Sequence, residues 1–302
     1  MHATRIERPS RLLVVANAKS RNGGGPLDAA LERFDAAGIG HELVRPDGPS
    51  DMAEAIRDAR DRVDAVVVAG GDGTMNAAAP AIIETHLPLG VLPAGTANDL
   101  ARTLGLPVDL AAAADVIAAG GVTPIDLGEV NGHPFFNVAS LGLSAELARR
   151  LSGEDKRRFG RLSYALAALR TLVAARPFHA EITEEGGAHV RVKTLQIAVG
   201  NGRYYGGGMA VTDDAMIDDG HLDLYSLEMK AVWKLALMLP SFRAGRHGLW
   251  REVRTARGTR FRVRTRKHRP VNTDGELVTF TPAEFRILPR AVRVFVPTTA
   301  PA

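Results

Sequence analysis

The stretch Val66–Pro80, VVVAGGDGTMNAAAP, runs four apolar residues into two glycines, an aspartate, a third glycine and a threonine before a helix-like run resumes. A parallel strand delivers its C-terminal end to the rim of its sheet, where ligands of open α/β sheets bind. Gly70, Gly71 and Gly73 have no Cβ, so the backbone there turns sharply and admits a ligand closely. A helix beginning near Thr74 aims unpaired N–H groups at the same rim and favours an anion. Asp72 would repel bare phosphate from that loop; its place there suits a group that holds Mg²⁺ or orients the attacking atom.

Outward from this loop the pattern repeats. Strands are expected at Arg11–Ala16, His41–Arg45, Ala65–Gly70 and Leu89–Pro93, and helices at Pro26–Ala37, Ser50–Asp61, Met75–Thr85 and Ala97–Leu104, the alternation of βαβ units around a parallel sheet. The strand ending at Pro93 enters Ala94–Gly95–Thr96, with Asn98 and Asp99 near the next helix start, and the first strand enters the glycine-rich run Asn17–Pro26. Three such loops at successive strand ends converge on one polyphosphate site. The chain holds no G-x-x-x-x-G-K-[ST] loop, and no G-x-G-x-x-G follows a candidate strand, so neither a P-loop lysine nor a Rossmann pyrophosphate turn serves it.

From about Gly121 the texture changes to short β segments and turns, including a hairpin at Asn131–Gly132 and strands in TLQIAVG, HLDLYSL, TRFRVRTR and AVRVFVP. Helical inserts are expected at Ala145–Ala175 and Glu228–Phe242. The reading is an α/β nucleotide-binding domain over 1–127, a parallel sheet with flanking helices, and a mainly antiparallel β-sandwich domain over 128–302. The cleft between such domains is where a substrate is expected.

With 302 residues, 45% apolar and 24% charged, the chain has ample material for globular cores. The absence of cysteine excludes a disulfide scaffold, a thiolate zinc site and a cysteine nucleophile, and fits a reducing cytoplasm. No signal peptide and no spanning segment are expected. The net charge of +4 suits an anionic partner, though arginine-rich codon usage would give the same balance.

GGDGTMN together with LPAGTANDLAR resembles the catalytic domain of diacylglycerol kinases, shared with bacterial lipid kinases, sphingosine kinases and ceramide kinases, and more distantly with NAD kinases and phosphofructokinases. The P-x-G-T-x-N-D element is similar to the lipid branch, and the likeness continues through FFNVASLGLSAELA, VGNGRYYGGGMAVTDDAMIDDGHLDLYSL and VNTDGE. It implies an NAD kinase-like fold and an ATP site built from Asn17, Gly70, Gly71, Asp72, Gly73, Thr74, Asn76, Gly95 and Thr96. The family's Asn–Pro reads Asn17–Ala18 here. It implies a structural Mg²⁺ on Asp219 with the carbonyls of Met216 and His221, inside an acidic run that also holds Asp213, Asp214, Asp218 and Asp223. In VNTDGEL it implies an active-site motif, with Glu276 favoured as the base for the acceptor hydroxyl and Asp274 and Asp72 positioning the substrate and MgATP; the residues alone do not rank these three carboxylates.

The resemblance implies a kinase transferring the γ-phosphoryl group of ATP, with Mg²⁺, to a hydroxyl of diacylglycerol or a related lipid alcohol. Two alternatives stand beside it: an NAD kinase-like enzyme for a soluble substrate, and a non-enzymatic nucleotide or lipid sensor. The expected partner is a lipid alcohol at the membrane surface, reached by a cytoplasmic protein in peripheral contact with the bilayer; a homodimer is left open. Period-two spacing puts Arg260, Arg262, Arg264 and Arg266 on one strand face, a solvated face or a landing patch for anionic lipid, and Arg149, Arg150, Lys156, Arg157, Arg158 and Arg161 flank a Leu/Ala-rich helix. No nucleic-acid module or aromatic platform accompanies these charges, so nucleic acid is not expected.

Overall fold

The computed structural model describes residues 3–16, 25–146, 175–187, 189–205, 208–210, 216–229 and 250–298. Two compact units divide the chain, Met1–Leu127 with Leu288–Ala302, and Gly128–Ile287.

In the first unit β1 (Arg5–Ile6), β2 (Arg11–Ala16), β3 (Gly40–Val44), β4 (Ala65–Gly70) and β5 (Leu89–Pro93) alternate with α1 (Gly25–Ala36), α2 (Pro49–Ala59), α3 (Asp72–Thr85), α4 (Asp99–Leu104) and α5 (Leu110–Ala119). Strands β5, β4, β2 and β3 lie side by side in that order, all parallel. Every residue of β4 and β5 is buried, as expected of parallel strands covered on both faces. Leu12, Val14 and Val67 pack with Phe34 of α1 and Ile117 of α5, while α2 packs against α3.

Two helix starts and one additional helix depart most from the sequence reading. Helix α3 begins at Asp72, so Asp72, Gly73 and Thr74 form its first turn rather than a loop. Helix α4 begins at Asp99, because Asn98 takes a left-handed conformation at φ 51°. Helix α5 was not expected at all. Its signals were nonetheless ordinary ones: Asp109 accepts a hydrogen bond from the Ala112 N–H at 2.8 Å, and Gly120 closes the helix at φ 74°.

The chain leaves the first unit through β6 (Gly121–Val130) and turns at Asn131–Gly132, both at positive φ as a two-residue hairpin requires, into β7 (His133–Phe135). There follow β8 (Val138–Gly142), β9 (Phe178–Glu184), β10 (His189–Thr194), β11 (Gln196–Gly200), β12 (Tyr204–Tyr205), β13 (Met209–Ala210), β14 (Leu222–Leu227), β15 (Val253–Gly258), β16 (Arg260–Thr265), β17 (Pro270–Thr273), β18 (Glu276–Phe280) and β19 (Ala283–Phe295). One antiparallel sheet runs β15-β14-β11-β8-β17-β18; facing it, β10, β9, β16 and the first half of β19 form a second. Phe178, Ile182, Phe261 and Phe285 of the second pack on Leu141, Ile197, Leu224 and Val271 of the first, which makes the unit a β-sandwich.

The end of the chain differs from the expected division at 128–302. Residues from Leu288 onward belong to the first unit. The first five residues of AVRVFVP end β19, where Val294 pairs in parallel with Leu89 of β5 and Phe295 joins the first unit's core. Its apolar alternation suits either partner strand; between the two pairings lies Arg290, whose φ is 53° and whose N–H is held by the Asp126 carboxylate at 2.6 Å. The helical inserts expected at Ala145–Ala175 and Glu228–Phe242 lie almost wholly outside the described residues.

Candidate active site

The first unit brings two of the quoted loops into backbone contact. A Cβ on Gly71 would stand 3.1 Å from the Gly95 Cα, and a Cβ on Gly95 would overlap the Gly71 Cα and come within 2.7 Å of the Asn98 Oδ1. No side chain fits there. The Ala94 N–H also donates to the Gly70 carbonyl at 3.1 Å, so the β4–α3 and β5–α4 connections travel together. A Cβ on Gly70 would meet the Thr74 side chain at 2.5 Å, which leaves Thr74 seated over the end of the strand. Gly71, Asp72, Gly73, Thr74 and Asn76 are half-buried, and Gly95 and Thr96 are exposed. The result is a rim of bare backbone and first-turn helix amides at the carboxyl ends of two parallel strands. Such a surface can hold a polyphosphate.

Asp72 does not point idly into that rim. Its Oδ2 accepts the Asp99 N–H at 3.1 Å and its Oδ1 accepts the Leu100 N–H at 2.9 Å, so the first residue of α3 caps the first turn of α4. Asn98, which sequence reasoning placed only near a helix start, braces the same loop: its Oδ1 accepts the Gly95 N–H at 2.9 Å and its Nδ2 donates to the Gly95 and Pro93 carbonyls. The available signal was its position three residues after Gly95, the reach of an Asx-type side chain to its own backbone. Gly95→Ala is accordingly expected to raise the KM for ATP and to lower stability by about 1–3 kcal/mol, as overpacking does; a wild-type melting curve and KM would show that the two loops need not touch.

The second unit contains a parallel arrangement. Asp274 (φ 46°) and Gly275 (φ 97°) form the tight turn between β17 and β18. The Asp274 Oδ1 accepts the Val138 N–H at 2.9 Å and its Oδ2 accepts the Asn137 N–H at 3.2 Å, while the Asp274 N–H donates to the Val138 carbonyl at 3.0 Å. Asn201 ties in a third loop, donating its backbone N–H to the Asn137 carbonyl and its Nδ2 to the Phe136 carbonyl, each at 2.8 Å. Asn137 and Asn201 are 1% and 2% exposed, so these contacts are made away from bulk water. FFN, GNG and NTDGE, far apart in the chain, therefore meet at one end of the sandwich. Glu276 opens β18 beside the turn and is exposed.

Comparison with known proteins decides the family. Residues 11–130 match the diacylglycerol kinase catalytic domain and residues 137–296 match the YegS C-terminal NAD kinase beta sandwich-like domain. A diacylglycerol kinase of Bacillus subtilis (strain 168) is 30% identical over 275 residues, which is 90% of each chain. The chain belongs to the diacylglycerol kinase family of lipid kinases. A diacylglycerol kinase of Mycobacterium tuberculosis (strain ATCC 25618 / H37Rv) is 34% identical over 240 residues, covering 78% of this chain and 77% of the other. The crystal structure of a diacylglycerol kinase from Bacillus anthracis str. Sterne superposes with a TM-score of 0.79 at 25% identity, over 96% of this chain and 98% of that one.

Within this lipid kinase the Asp219 carboxylate of the acidic turn has protein partners of its own. The Asp219 Oδ1 accepts the His221 N–H at 3.0 Å, and its Oδ2 is paired with the Arg257 guanidinium at 2.5 Å; Arg257 also lies 3.9 Å from Asp223. Asp219, Met216 and His221 are thus near one another in sequence and space, but the carboxylate assigned to Mg²⁺ already has an internal cation. A divalent ion would compete with Arg257 for that carboxylate. The melting temperature of the wild type is expected to be indifferent to Mg²⁺ and to chelator, whereas Arg257→Ala is expected to melt higher when Mg²⁺ is added, by mass action on the bared carboxylates. A Mg²⁺-dependent wild-type melt would show the ion outcompeting the arginine.

Asn17, Asp213, Asp214 and the basic residues Arg149, Arg150, Lys156, Arg157, Arg158 and Arg161 lie outside the described residues. The arginines of β16 divide into two pairs. Arg260 contacts Glu185 and Glu284, and Arg262 contacts Glu284, whereas Arg264 and Arg266 have no ion-pair partner among the described residues. No described helix is long and apolar enough to cross a membrane.

Proposed function

We propose that this lipid kinase transfers the γ-phosphoryl group of MgATP to a hydroxyl of diacylglycerol or a related lipid alcohol. The observation that carries the reading is the side-chain-free contact of Gly71 with Gly95 beside the first turn of α3, a cradle that any Cβ would fill. Phosphoryl transfer asks the protein mainly for positioning and charge stabilisation, and backbone N–H groups supply both. Mg²⁺ enters as part of the nucleotide substrate, where it neutralises phosphate charge.

Glu276 is the residue we assign to the acceptor proton. Asp72 and Asp274 each spend both carboxylate oxygens on consecutive backbone N–H groups of another segment, which makes them positioning residues in this reading. Phe280, at the far end of β18, is 59% exposed, as suits a neighbour of an acyl chain. The protein works in peripheral contact with the bilayer. The test is radiolabelled ATP offered with a total lipid extract in detergent micelles and, separately, with NAD. Label in one lipid class is the expected result; label only in NADP would replace this reading with a soluble-substrate kinase, and ATP binding without turnover on any acceptor would replace it with a sensor.

A further inference from the structure

The outer face of β10, β9 and β16 is built as a row of cations with little to neutralise them. In the register of these strands Arg191 lies opposite Glu181 and Glu181 opposite Arg264, while Lys193 lies opposite His179. Arg266, one residue past the end of β16, joins His179 and Lys193 in lining a groove of about 450 Å³ on this face. The alternate residues Ala180, Ile182, Val192, Phe261 and Val263 are buried in the sandwich core, so the charged set is fixed to the solvent side by the pleat. Glu181 is taken by Arg191 at 2.9 Å. That leaves Lys193, Arg264 and Arg266 exposed and without an ion-pair partner among the described residues.

Charges on an edge strand guard against stray strand pairing, and β10 is the edge here. That purpose would be met by β10 alone; the uncompensated cations continue two strands inward to β16. Strand spacings of about 5 Å and same-face residue spacings of about 7 Å keep them within one Debye length, so they act as a single field. No Phe, Tyr or Trp lines this groove to give bases a stacking platform, which disfavours nucleic acid. No described helix spans a membrane.

We infer that this face is the surface by which the enzyme docks on anionic phospholipid bilayers, with Lys193, Arg264 and Arg266 meeting headgroup phosphates. The inference rests on the lipid-kinase reading and gives it a place of contact. It also divides the arginine strand, because Arg260 and Arg262 are spent on Glu185 and Glu284 and contribute little. Binding is electrostatic and shallow, with each cation near the surface worth about fivefold in affinity.

The experiment is co-sedimentation of the full chain with phosphatidylglycerol-rich vesicles and with pure phosphatidylcholine vesicles, at low and high salt. The triple variant Lys193→Ala, Arg264→Ala, Arg266→Ala is expected to lose roughly 100-fold in affinity for the anionic vesicles while keeping its turnover on lipid in neutral detergent micelles. An equal charge loss at the exposed Arg8, Arg60 and Arg251 is expected to change affinity far less. Equal loss in both triple variants would reduce the effect to net charge and overturn the assignment, as would unchanged binding of the first variant. Retention of the wild type on single-stranded DNA but not on anionic vesicles would give the face to nucleic acid instead. Absence of lipid turnover by the wild type would sink the kinase reading while leaving the vesicle result to stand or fall separately.

Discussion

Glu276→Gln lowers kcat by about 10²–10⁴-fold, the range that a positioned general base contributes, and leaves the KM for ATP and the melting temperature unchanged. The expectation follows from how the three carboxylates are used. Asp274 accepts two backbone N–H groups from the start of β8 and stands at positive φ in the hairpin turn, so it sets where β18 begins. Glu276 is two residues on, exposed, and the first residue of that strand. Glutamine keeps its length and shape but cannot take a proton. Asp274→Asn is expected to behave differently: an amide in place of one oxygen sets donor against donor at Asn137 or Val138, and both stability and the KM for the lipid change together. If Glu276→Gln turned over at the wild-type rate while Asp274→Asn were inactive with an unchanged melting curve, the base would be Asp274.

Where the physics is local, the chain could be read. Arg11–Ala16, Ala65–Gly70 and Leu89–Pro93 are strands with the expected bounds because fully buried parallel strands are continuous apolar runs. The Asn131–Gly132 turn was legible because only a few residues accept positive φ at both positions. What stayed hidden depends on distant partners. Helix α5 was lost in an alanine-rich run whose apolar residues surround it too evenly to show a face. β19 changes partners along its length, from β16 to β5, and nothing within AVRVFVP names the second partner. In the site, glycine loops announced a close backbone approach, but that Gly71 approaches Gly95 rather than a ligand alone is a tertiary fact. Arg257 is 38 residues from Asp219, and its claim on that carboxylate is set only by the pairing of β14 with β15, which puts Arg257 opposite Asp223.

Asp72→Ala is the substitution with the broadest expected consequence, because one carboxylate joins the two loops that the proposed function gives to the nucleotide. It removes the acceptors of the Asp99 and Leu100 N–H groups, whose residues are 3% and 1% exposed. Hydrogen bonds to a charged acceptor contribute about 1.5–3 kcal/mol each, so the first turn of α4 loosens and stability falls by roughly 3 kcal/mol. The Gly95–Thr96 loop sits immediately before that turn and moves with it. A displacement of about 1 Å at a phosphate-holding loop costs on the order of 100-fold in kcat/KM for ATP. Asp72→Asn keeps one acceptor and turns the other into a donor facing an N–H, so it is expected to lose a similar amount of activity with a smaller drop in melting temperature. The readouts are the ATP dependence of turnover and thermal denaturation of both variants beside Glu276→Gln. A clamp predicts that the Asp72 variants raise the KM for ATP and melt earlier while Glu276→Gln does neither. Loss of turnover in Asp72→Asn at wild-type KM and wild-type stability would instead put that carboxylate on the reacting phosphate, and the hydrogen bonds to α4 would then be incidental to its work.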